Sequence, residues 1–416
     1  MDKNIGIYVH IPFCASKCAY CDFYSLAGCD NLMPEYEGAV LQHIKEASPQ
    51  LGGYYIDTVY FGGGTPGYFG VDRLINMFDA LKQNGNVLID SEVTVEMNPD
   101  STDYDGLLKL RKAGINRLSL GVQSANDGIL KSLGRRHNFA QAEEAVKAAR
   151  SAGFDNVSLD LIYGLPSQTR KDWAETLTHA AALKPDHMSC YGLKIEEGTP
   201  LYQYKDSPFI PDDDTQADMY LYTVDALARY GYRQYEISNF AKRGCHSRHN
   251  LKYWRGDEYM GFGAAAHSYI GSQRYSCVSD IGKYIAGIRG GGSVVNLCEK
   301  ITSYEKAGEY LMLGLRTTHG ISEAEYREIY PHSFDLTKTL LETYVKNGWA
   351  VKNEDRWNLT PRGFLISNVL IGGVLESQTR QKLRECAPYK EAEMPDDLQY
   401  SMFTRGNDGV SLFNGI

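Results

Sequence analysis

The chain has 416 residues, of which 43% are hydrophobic, and its net charge at pH 7 is −9. A chain of this length is expected to form two or three domains with a large core, and its acidity argues against nucleic acid as the main partner. Nine cysteines, an odd number, and no recognisable secretory segment argue against a disulfide framework and indicate a cytoplasmic protein. No apolar run approaches the ~20 residues of a membrane-spanning helix.

The first predicted strand leads into a loop that contains three closely spaced cysteines. Cys14, Cys18 and Cys21 have the spacing C-x3-C-x2-C, and Tyr20 precedes the last of them. Three thiolates can hold three irons of a [4Fe-4S] cluster and leave the fourth iron open for an exchangeable ligand. A zinc site needs a fourth Cys or His at a regular spacing, and Cys29 lies too far along the chain to supply it. Three free cysteines are the other alternative, which such clustering disfavours.

Short apolar or β-branched runs alternate with helical segments over the first 200 residues. Six βα units in succession predict an α/β fold with a parallel sheet, and six are too few to close an eight-stranded barrel, so we expect a partial (β/α)6 barrel. The predicted strands lie at about 5–11, 57–61, 92–97, 116–121, 156–162 and 187–193. The predicted helices lie near 34–48, 71–84, 103–113, 138–152 and 170–183.

Polar or glycine-rich residues stand where each predicted strand ends, and a parallel barrel carries its chemistry at this edge. Three glycines at 62–64 expose backbone groups to a ligand, with a tight turn as the alternative. Glu96 at a buried strand end must be paired or bound, either by ribose hydroxyls or by a structural hydrogen bond. Gln123, Arg135 and Asp160 are further candidates for binding a nucleoside, and a solvated helix end is the alternative for Arg135.

The cysteine spacing with Tyr20 resembles the radical S-adenosylmethionine (SAM) superfamily, in which SAM chelates the open iron of the cluster. Further stretches resemble the oxygen-independent coproporphyrinogen III oxidases and their relatives. In chain order the matching stretches are 8–21, 61–66, 95–99, 119–124, 133–137 and 160–166. The resemblance implies that cluster-bound SAM is contacted by Tyr8, Gly63 and Glu96. It also implies a role for six residues that match positions contacting a second SAM in the oxidase. They are Tyr20, Gly64, Thr65, Gln123, Arg135 and Asp160. Binding of one or of two SAM molecules is open.

Two features separate this chain from the oxidases themselves. The oxidases have a further cysteine two residues after the triad, where this chain has Phe23, and a long N-terminal extension that is missing here. Both features resemble the heme chaperones of the HemW type. The diagnostic motif of that type, H-N-x-x-Y-W, stands here at residues 249–254, and a packed loop is the alternative explanation of this match.

The motif has residue types that suit a heme site. His249 offers a neutral imidazole as an axial ligand of iron, and Tyr253 and Trp254 offer flat apolar surface for the macrocycle. A zinc site is an alternative, but it would place three donors within five residues and form a poor tetrahedron. The zinc donors would be Cys245, His246 and His249. The basic residues predicted to pair with heme propionates are Arg248, Lys252 and Arg255.

The pattern changes beyond about residue 300 to three helices followed by a hairpin at 350–359, and this order resembles the winged-helix-like C-terminal domain of the family. DNA binding is the usual association of that fold, but the acidity of the chain favours a substrate lid or a docking surface. The predicted domains are a radical SAM partial barrel at 1–200, an extension with the heme segment at 201–300, a winged-helix-like domain at 301–376 and a polar tail at 377–416.

Three functions are consistent with these patterns. The first is a heme chaperone that binds a [4Fe-4S] cluster, SAM and heme and passes heme to an acceptor protein, a membrane-associated one included. The second is a radical SAM enzyme of porphyrin biosynthesis, such as a coproporphyrinogen III oxidase (a coproporphyrinogen dehydrogenase). The third is a winged-helix regulator with a redox-sensing cluster. Phe23 and the motif at 249–254 favour the first, and enzymatic turnover of SAM stays open.

Overall fold

The computed structural model describes residues 3–386, which divide into two units. The first unit runs to residue 302 and includes 316–318, and the second comprises 303–315 and the residues from 319 onward. Within residues 3–386, no helix combines the length and apolar character needed to cross a bilayer.

The first unit is built on one large sheet and a separate pair of short strands, β2 and β3. Its strands are β1 (Lys3–Ile11), β2 (Phe13–Cys14), β3 (Leu26–Ala27), β4 (Tyr54–Gly63), β5 (Asn86–Met97), β6 (Arg117–Gln123), β7 (Asn156–Tyr163), β8 (His187–Gly192), β9 (Arg233–Gln234), β10 (Asn239–Ala241), β11 (Tyr259–Phe262), β12 (His267–Ile270), β13 (Gln273–Cys277) and β14 (Val295–Lys300).

Most helices of this unit cover the outer side of the sheet, whereas the helix at Arg248–Arg255 packs on the opposite side. They are α1 (Met33–Glu46), α2 (Ser48–Leu51), α3 (Pro66–Phe69), α4 (Val71–Asn84), α5 (Tyr104–Ala113), α6 (Asp127–Ser132), α7 (Phe139–Ser151), α8 (Arg170–Ala182), α9 (Asp213–Arg229), α10 (Arg248–Arg255) and α11 (Ile281–Arg289). Short 3-10 helices lie at Asp30–Leu32, Pro99–Ser101 and Pro200–Tyr204.

Six strands pair in parallel and in chain order, β1-β4-β5-β6-β7-β8, and they are the six strands that the sequence predicts. The predicted α/β fold with a parallel sheet is therefore confirmed. Alternation along each strand separates two faces. On β1, Ile5, Ile7 and Val9 belong to the main hydrophobic core, whereas Tyr8 lies on the opposite face. That opposite face carries the polar residues predicted at the strand ends.

Both edges of the parallel sheet are extended by residues 233–300, which the sequence analysis assigned to a separate extension. At one edge β10 pairs antiparallel with β8 and with β9. At the other edge β11 pairs parallel with β1, and β12, β13 and β14 follow antiparallel. The extension strands are two to six residues long, too short for the alternation of apolar and polar residues to mark them in the sequence.

The second unit contains helices and a three-stranded sheet with the order β15-β17-β16. The predicted hairpin at 350–359 is confirmed, with Ala350 opposite Leu359 and a polar turn. Helix α16 continues through the first ten residues of the predicted tail, and the remaining residues, 387–416, lie outside the described part of the chain. The elements of this unit are α12 (Ser303–Gly314), β15 (Ile321–Ser322), α13 (Glu323–Ile329), α14 (Asp335–Lys346), β16 (Ala350–Asn353), β17 (Arg356–Leu359), α15 (Pro361–Leu365) and α16 (Ser367–Cys386).

Candidate functional site

The cysteine loop lies at the carboxyl end of β1, where the parallel fold places functional groups. Strands β2 and β3 close the base of the loop, with Cys14 paired to Ala27. The backbone N–H of Ala19 donates to the carbonyl of Leu133 (3.1 Å). Leu133 directly follows helix α6, so this bond ties the loop to the end of that helix. Cys14 is buried, whereas Cys18 and Cys21 are partly exposed. The loop therefore presents three thiols on a segment that is fixed at both ends.

The surroundings of the thiols suit a cluster that carries thiolate ligands. The hydroxyl of Thr65 lies 3.5 Å from the sulfur of Cys14, and a guanidinium nitrogen of Arg135 lies 3.6 Å from the sulfur of Cys18. Burial raises the pKa of the Cys14 thiol, and hydrogen bonds from Thr65 and Ser25 act in the opposite direction. A nearby cation and hydroxyl donors stabilise thiolates, so the residues present fit a [4Fe-4S] cluster.

The structure does not support a site for a single metal ion. Within residues 3–386, no three Cys, His, Asp or Glu side chains lie together as ligands of one metal ion. A cubane cluster makes a different demand, because each cysteine binds a different iron. Cys29 lies beyond β3, with its thiol 3.8 Å from the carbonyl of Ala27.

Gly64 allows the end of β4 to approach the cysteine loop closely. A Cβ atom at Gly64 would lie 2.7 Å from the carbonyl oxygen of Phe13 and 3.0 Å from the sulfur of Cys14. The backbone N–H groups of Gly64 and Thr65 donate to the carbonyls of Ile11 and Phe13, both at 2.8 Å. Part of the glycine run is thus required by packing against the cysteine loop, which is neither the ligand contact nor the tight turn considered in the sequence analysis.

The carboxylate of Glu96 connects the glycine run to the inner face of the sheet. One oxygen accepts a hydrogen bond from the hydroxyl of Tyr60 (2.7 Å), and the other accepts one from the backbone N–H of Gly63 (3.1 Å). Burial raises the pKa of Glu96 to about 7, the hydrogen bond from Tyr60 opposes this shift, and the charge of Asp160 adds to it. Each oxygen keeps a further lone pair, so the carboxylate can still accept hydrogen bonds from a ligand.

Arg135 is partly buried in the site, where its guanidinium is hydrogen-bonded, and it is not a solvated helix end. Its guanidinium donates to the side-chain oxygen of Asn98 (2.8 Å) and to the carbonyl of Gly121 (2.5 Å). The amide nitrogen of Asn98 in turn donates to the hydroxyl of Thr65 (3.2 Å). Gln123 follows with a backbone φ of 66°, a left-handed conformation that non-glycine residues rarely adopt. The sequence analysis assigned no role to Asn98, although it lies in the matching stretch 95–99.

Asp160 and Tyr20 also lie among these groups. Asp160 accepts a hydrogen bond from the hydroxyl of Ser119 (2.9 Å), and burial raises its pKa, with Arg117 among the groups that oppose the shift. Burial raises the pKa of Tyr20 well above its usual range, and the charge of Arg135 opposes that shift. Arg117 is 1% exposed, and the sequence analysis did not select it. The structure thus gathers most of the predicted SAM residues at one edge of the sheet.

The predicted heme segment forms helix α10, and its histidine points inward. His249 is 1% exposed, and both ring nitrogens have partners: Nδ1 lies 2.8 Å from the hydroxyl of Thr58, and Nε2 lies 3.0 Å from the hydroxyl of Tyr253. Burial lowers the pKa of His249 to about 3, with contributions from Lys252 and Arg117, so the imidazole is neutral. In this arrangement neither ring nitrogen is free for a metal.

The other residues of the segment differ in how available they are to a ligand. Lys252 is buried and forms an ion pair with Asp57 (2.9 Å), so it is already neutralised. The indole nitrogen of Trp254 is buried without a hydrogen-bond partner. Arg248 and Arg255 are exposed at a cleft of about 290 Å³ on the outer side of α10.

Comparisons with known proteins place the chain in a family. Residues 8–180 match the family model of the radical SAM superfamily, and residues 301–366 match the model of the HemN C-terminal domain. The chain is therefore a radical SAM protein with a HemN-type C-terminal domain.

Curated relatives define the family more closely. Proteins named heme chaperone HemW match from Bacillus subtilis (36% identity, 88% of this chain and 98% of the relative), Synechocystis (36%, 85% and 88%) and Escherichia coli (31%, 88% and 97%). The chain belongs to this HemW family. Among solved structures, the coproporphyrinogen III oxidase HemN of Escherichia coli, described as a radical SAM enzyme, matches with a TM-score of 0.79 over 91% of this chain and 90% of the oxidase. The TM-score establishes a shared fold, and at 23% identity the match shows the fold alone.

The cysteine assignment predicts a sharp difference between two Cys→Ala variants. After anaerobic reconstitution, Cys18→Ala should lose most of its iron and acid-labile sulfide, because a cubane needs all three thiolates of the loop. Cys29→Ala should keep both, since this thiol lies outside the loop. Iron and sulfide analysis checks the prediction, and equal losses in the two variants would contradict it.

The raised pKa of Glu96 predicts that this carboxylate destabilises the ligand-free protein at neutral and alkaline pH. Because the folded state holds the proton to a higher pH than the unfolded state, stability falls as pH rises from about 4.5 to about 7. Relative to wild type, the melting temperature of Glu96→Gln should therefore be higher at about pH 8 than at about pH 5. Glu144→Gln, which alters a carboxylate that is 75% exposed, is the control. If the melting temperature of Glu96→Gln relative to wild type were the same at both pH values, or higher at about pH 5, the raised pKa of Glu96 would be refuted.

Proposed function

We propose that this protein is a cytoplasmic heme chaperone that binds a [4Fe-4S] cluster, SAM and heme and passes heme to an acceptor protein. The observation that carries the proposal is the match over almost the whole chain to relatives named heme chaperone HemW. The motif at 249–254, which the sequence analysis connected with this type of protein, supports it as well.

The cluster and SAM would occupy the carboxyl edge of the parallel strands. The thiols of Cys14, Cys18 and Cys21 would hold the cluster, which when bound supplies an open iron for SAM and a source of single electrons. Arg135 lies beside the sulfur of Cys18 and balances thiolate charge. The carboxylate of Glu96 would accept hydrogen bonds from SAM. The further residues proposed to contact SAM are Tyr8, Tyr20, Gly63, Gly64, Thr65, Gln123 and Asp160.

Heme would bind at the segment 249–254, with His249 as the iron ligand and Tyr253 and Trp254 beside the macrocycle. Ligation through Nε2 of His249 requires that this nitrogen leave the hydroxyl of Tyr253. Because the ring is only 1% exposed, we expect helix α10 to move when heme binds. The exposed Arg248 and Arg255 are available to pair with propionates, unlike the buried Lys252. A site that must open in order to bind heme suits a protein that later releases it.

The second candidate is an oxygen-independent coproporphyrinogen III oxidase. It is favoured by the shared fold with HemN. It is disfavoured by Phe23, which is 49% exposed at the position where the oxidases have a further cysteine. The fold alone does not select a substrate, because one fold supports several functions. We therefore propose the chaperone.

The SAM assignment predicts that Glu96→Ala weakens SAM binding and leaves the cluster in place. Loss of a hydrogen bond to a charged group costs on the order of 1.5–3 kcal/mol, which corresponds to a roughly tenfold to hundredfold change in affinity. Calorimetric titration of the reconstituted protein with SAM measures this change, and iron analysis controls for the cluster. An unchanged SAM affinity would leave Glu96 with a structural role only.

The heme assignment predicts that His249→Ala shifts the Soret band of the heme complex and weakens heme binding at constant cluster content. His246→Ala is the matched control, because His246 is an exposed imidazole three residues earlier. Absorbance titration with heme distinguishes the two variants. A Soret shift in His246→Ala and none in His249→Ala would assign the ligand to His246 instead.

A further inference from the structure

A continuous set of contacts joins the helix of the heme motif to the carboxylate proposed to bind SAM. The ring of His249 stacks on the ring of Tyr60, with centroids 5.2 Å apart and planes inclined by 27°. The hydroxyl of Tyr60 donates to Glu96 at 2.7 Å. Tyr8 stacks on the same tyrosine, with centroids 6.3 Å apart. Tyr60 is therefore confined between two rings while it holds one oxygen of Glu96.

Three hydrogen bonds fix His249 in the position described above, with its ring stacked on Tyr60, which we call the docked position. Its Nδ1 is paired with Thr58 and its Nε2 with Tyr253, and its backbone N–H donates to the carboxylate of Glu92 at 2.9 Å. The N–H of Arg248 donates to the second oxygen of that carboxylate at 3.0 Å. Three tethers on one buried residue give the ring a single orientation beneath Tyr60. A buried polar ring with all partners satisfied rigidifies its surroundings.

While His249 is in the docked position, it cannot act as a ligand of the heme iron. A ring nitrogen that shares a hydrogen bond with Tyr253 cannot bind iron, and the buried ring cannot be reached by a macrocycle from outside. Ligation would withdraw the ring from Tyr60. The ring of Tyr60 would then lose one of the two rings that fix its position. Its hydroxyl would no longer be well oriented as a hydrogen-bond donor to Glu96.

We propose that His249 is a positioning residue for SAM binding, acting on Glu96 through Tyr60, and that heme ligation by His249 opposes SAM binding. Both halves rest on the proposed function. The first half needs SAM at Glu96, and the second half needs heme at His249 as well. The docked and the withdrawn ring are the two states, and each ligand favours one of them.

The first experiment measures SAM affinity by calorimetry in reconstituted variants. His249→Ala removes the stacked ring and should weaken SAM binding about threefold to tenfold, the range expected for one aromatic pair. His249→Phe keeps a ring beneath Tyr60 and should restore most of that affinity. Tyr60→Phe should weaken SAM binding as well. The double variant with His249→Ala should then lose less than the sum of the two single losses, because both act on one interaction.

A matched control separates positioning from general loss of stability. His43→Gln removes another imidazole, whose Nδ1 lies 2.9 Å from the hydroxyl of Tyr284 on the helical side of the sheet. This variant should keep wild-type SAM affinity, and melting temperatures identify any variant that fails to fold. Unchanged SAM affinity in folded His249→Ala, or no restoration by Phe, would overturn the positioning role.

The second experiment measures heme affinity of the wild-type protein with and without saturating SAM. SAM should weaken heme binding, and heme should weaken SAM binding by the same factor, since coupling between two ligands is reciprocal. Equal heme affinity in both conditions would overturn the opposition. If no heme binds at all, the proposed function fails, yet the SAM series of the first experiment still decides the positioning role.

Discussion

The partly buried carboxylate of Glu96 is the constraint on which the site depends. A carboxylate in this position needs hydrogen-bond donors, and the chain supplies one from the backbone of Gly63 and one from Tyr60. The first donor requires the glycine turn at the end of β4, and the second requires that Tyr60 be held in place. Gly63 precedes Gly64, which contacts the strand that leads into the cysteine loop, so the same carboxylate links the fold to its proposed ligand.

The extension of the sheet explains how the heme motif reaches the interior. Strand β11 pairs in parallel with β1, and helix α10, which precedes it in the chain, packs its inner face on β4 and β5. His249 thereby contacts Thr58 and Glu92 on neighbouring strands. A motif that begins 153 residues downstream of Glu96 thus becomes part of the same polar interior, which gives the two proposed ligands a physical connection.

Sequence reasoning located the strands and the cysteine loop because both leave local signals. Apolar runs followed by glycine or polar residues mark the six parallel strands, and compact cysteine spacing marks the loop. It did not select Tyr60, Asn98 or Arg117, because their roles depend on partners on neighbouring strands. It described His249 as an open ligand, since the sequence of α10 does not reveal which face of a short helix packs on the sheet.

The central claim is that the protein carries heme unchanged and does not oxidise a porphyrinogen. The most direct test incubates the anaerobically reconstituted protein with coproporphyrinogen III, SAM and dithionite, and in parallel with heme, followed by chromatography of the extracted tetrapyrroles. The account predicts that coproporphyrinogen III is recovered without decarboxylation and that heme is recovered intact from the protein. Stoichiometric formation of protoporphyrinogen would contradict it.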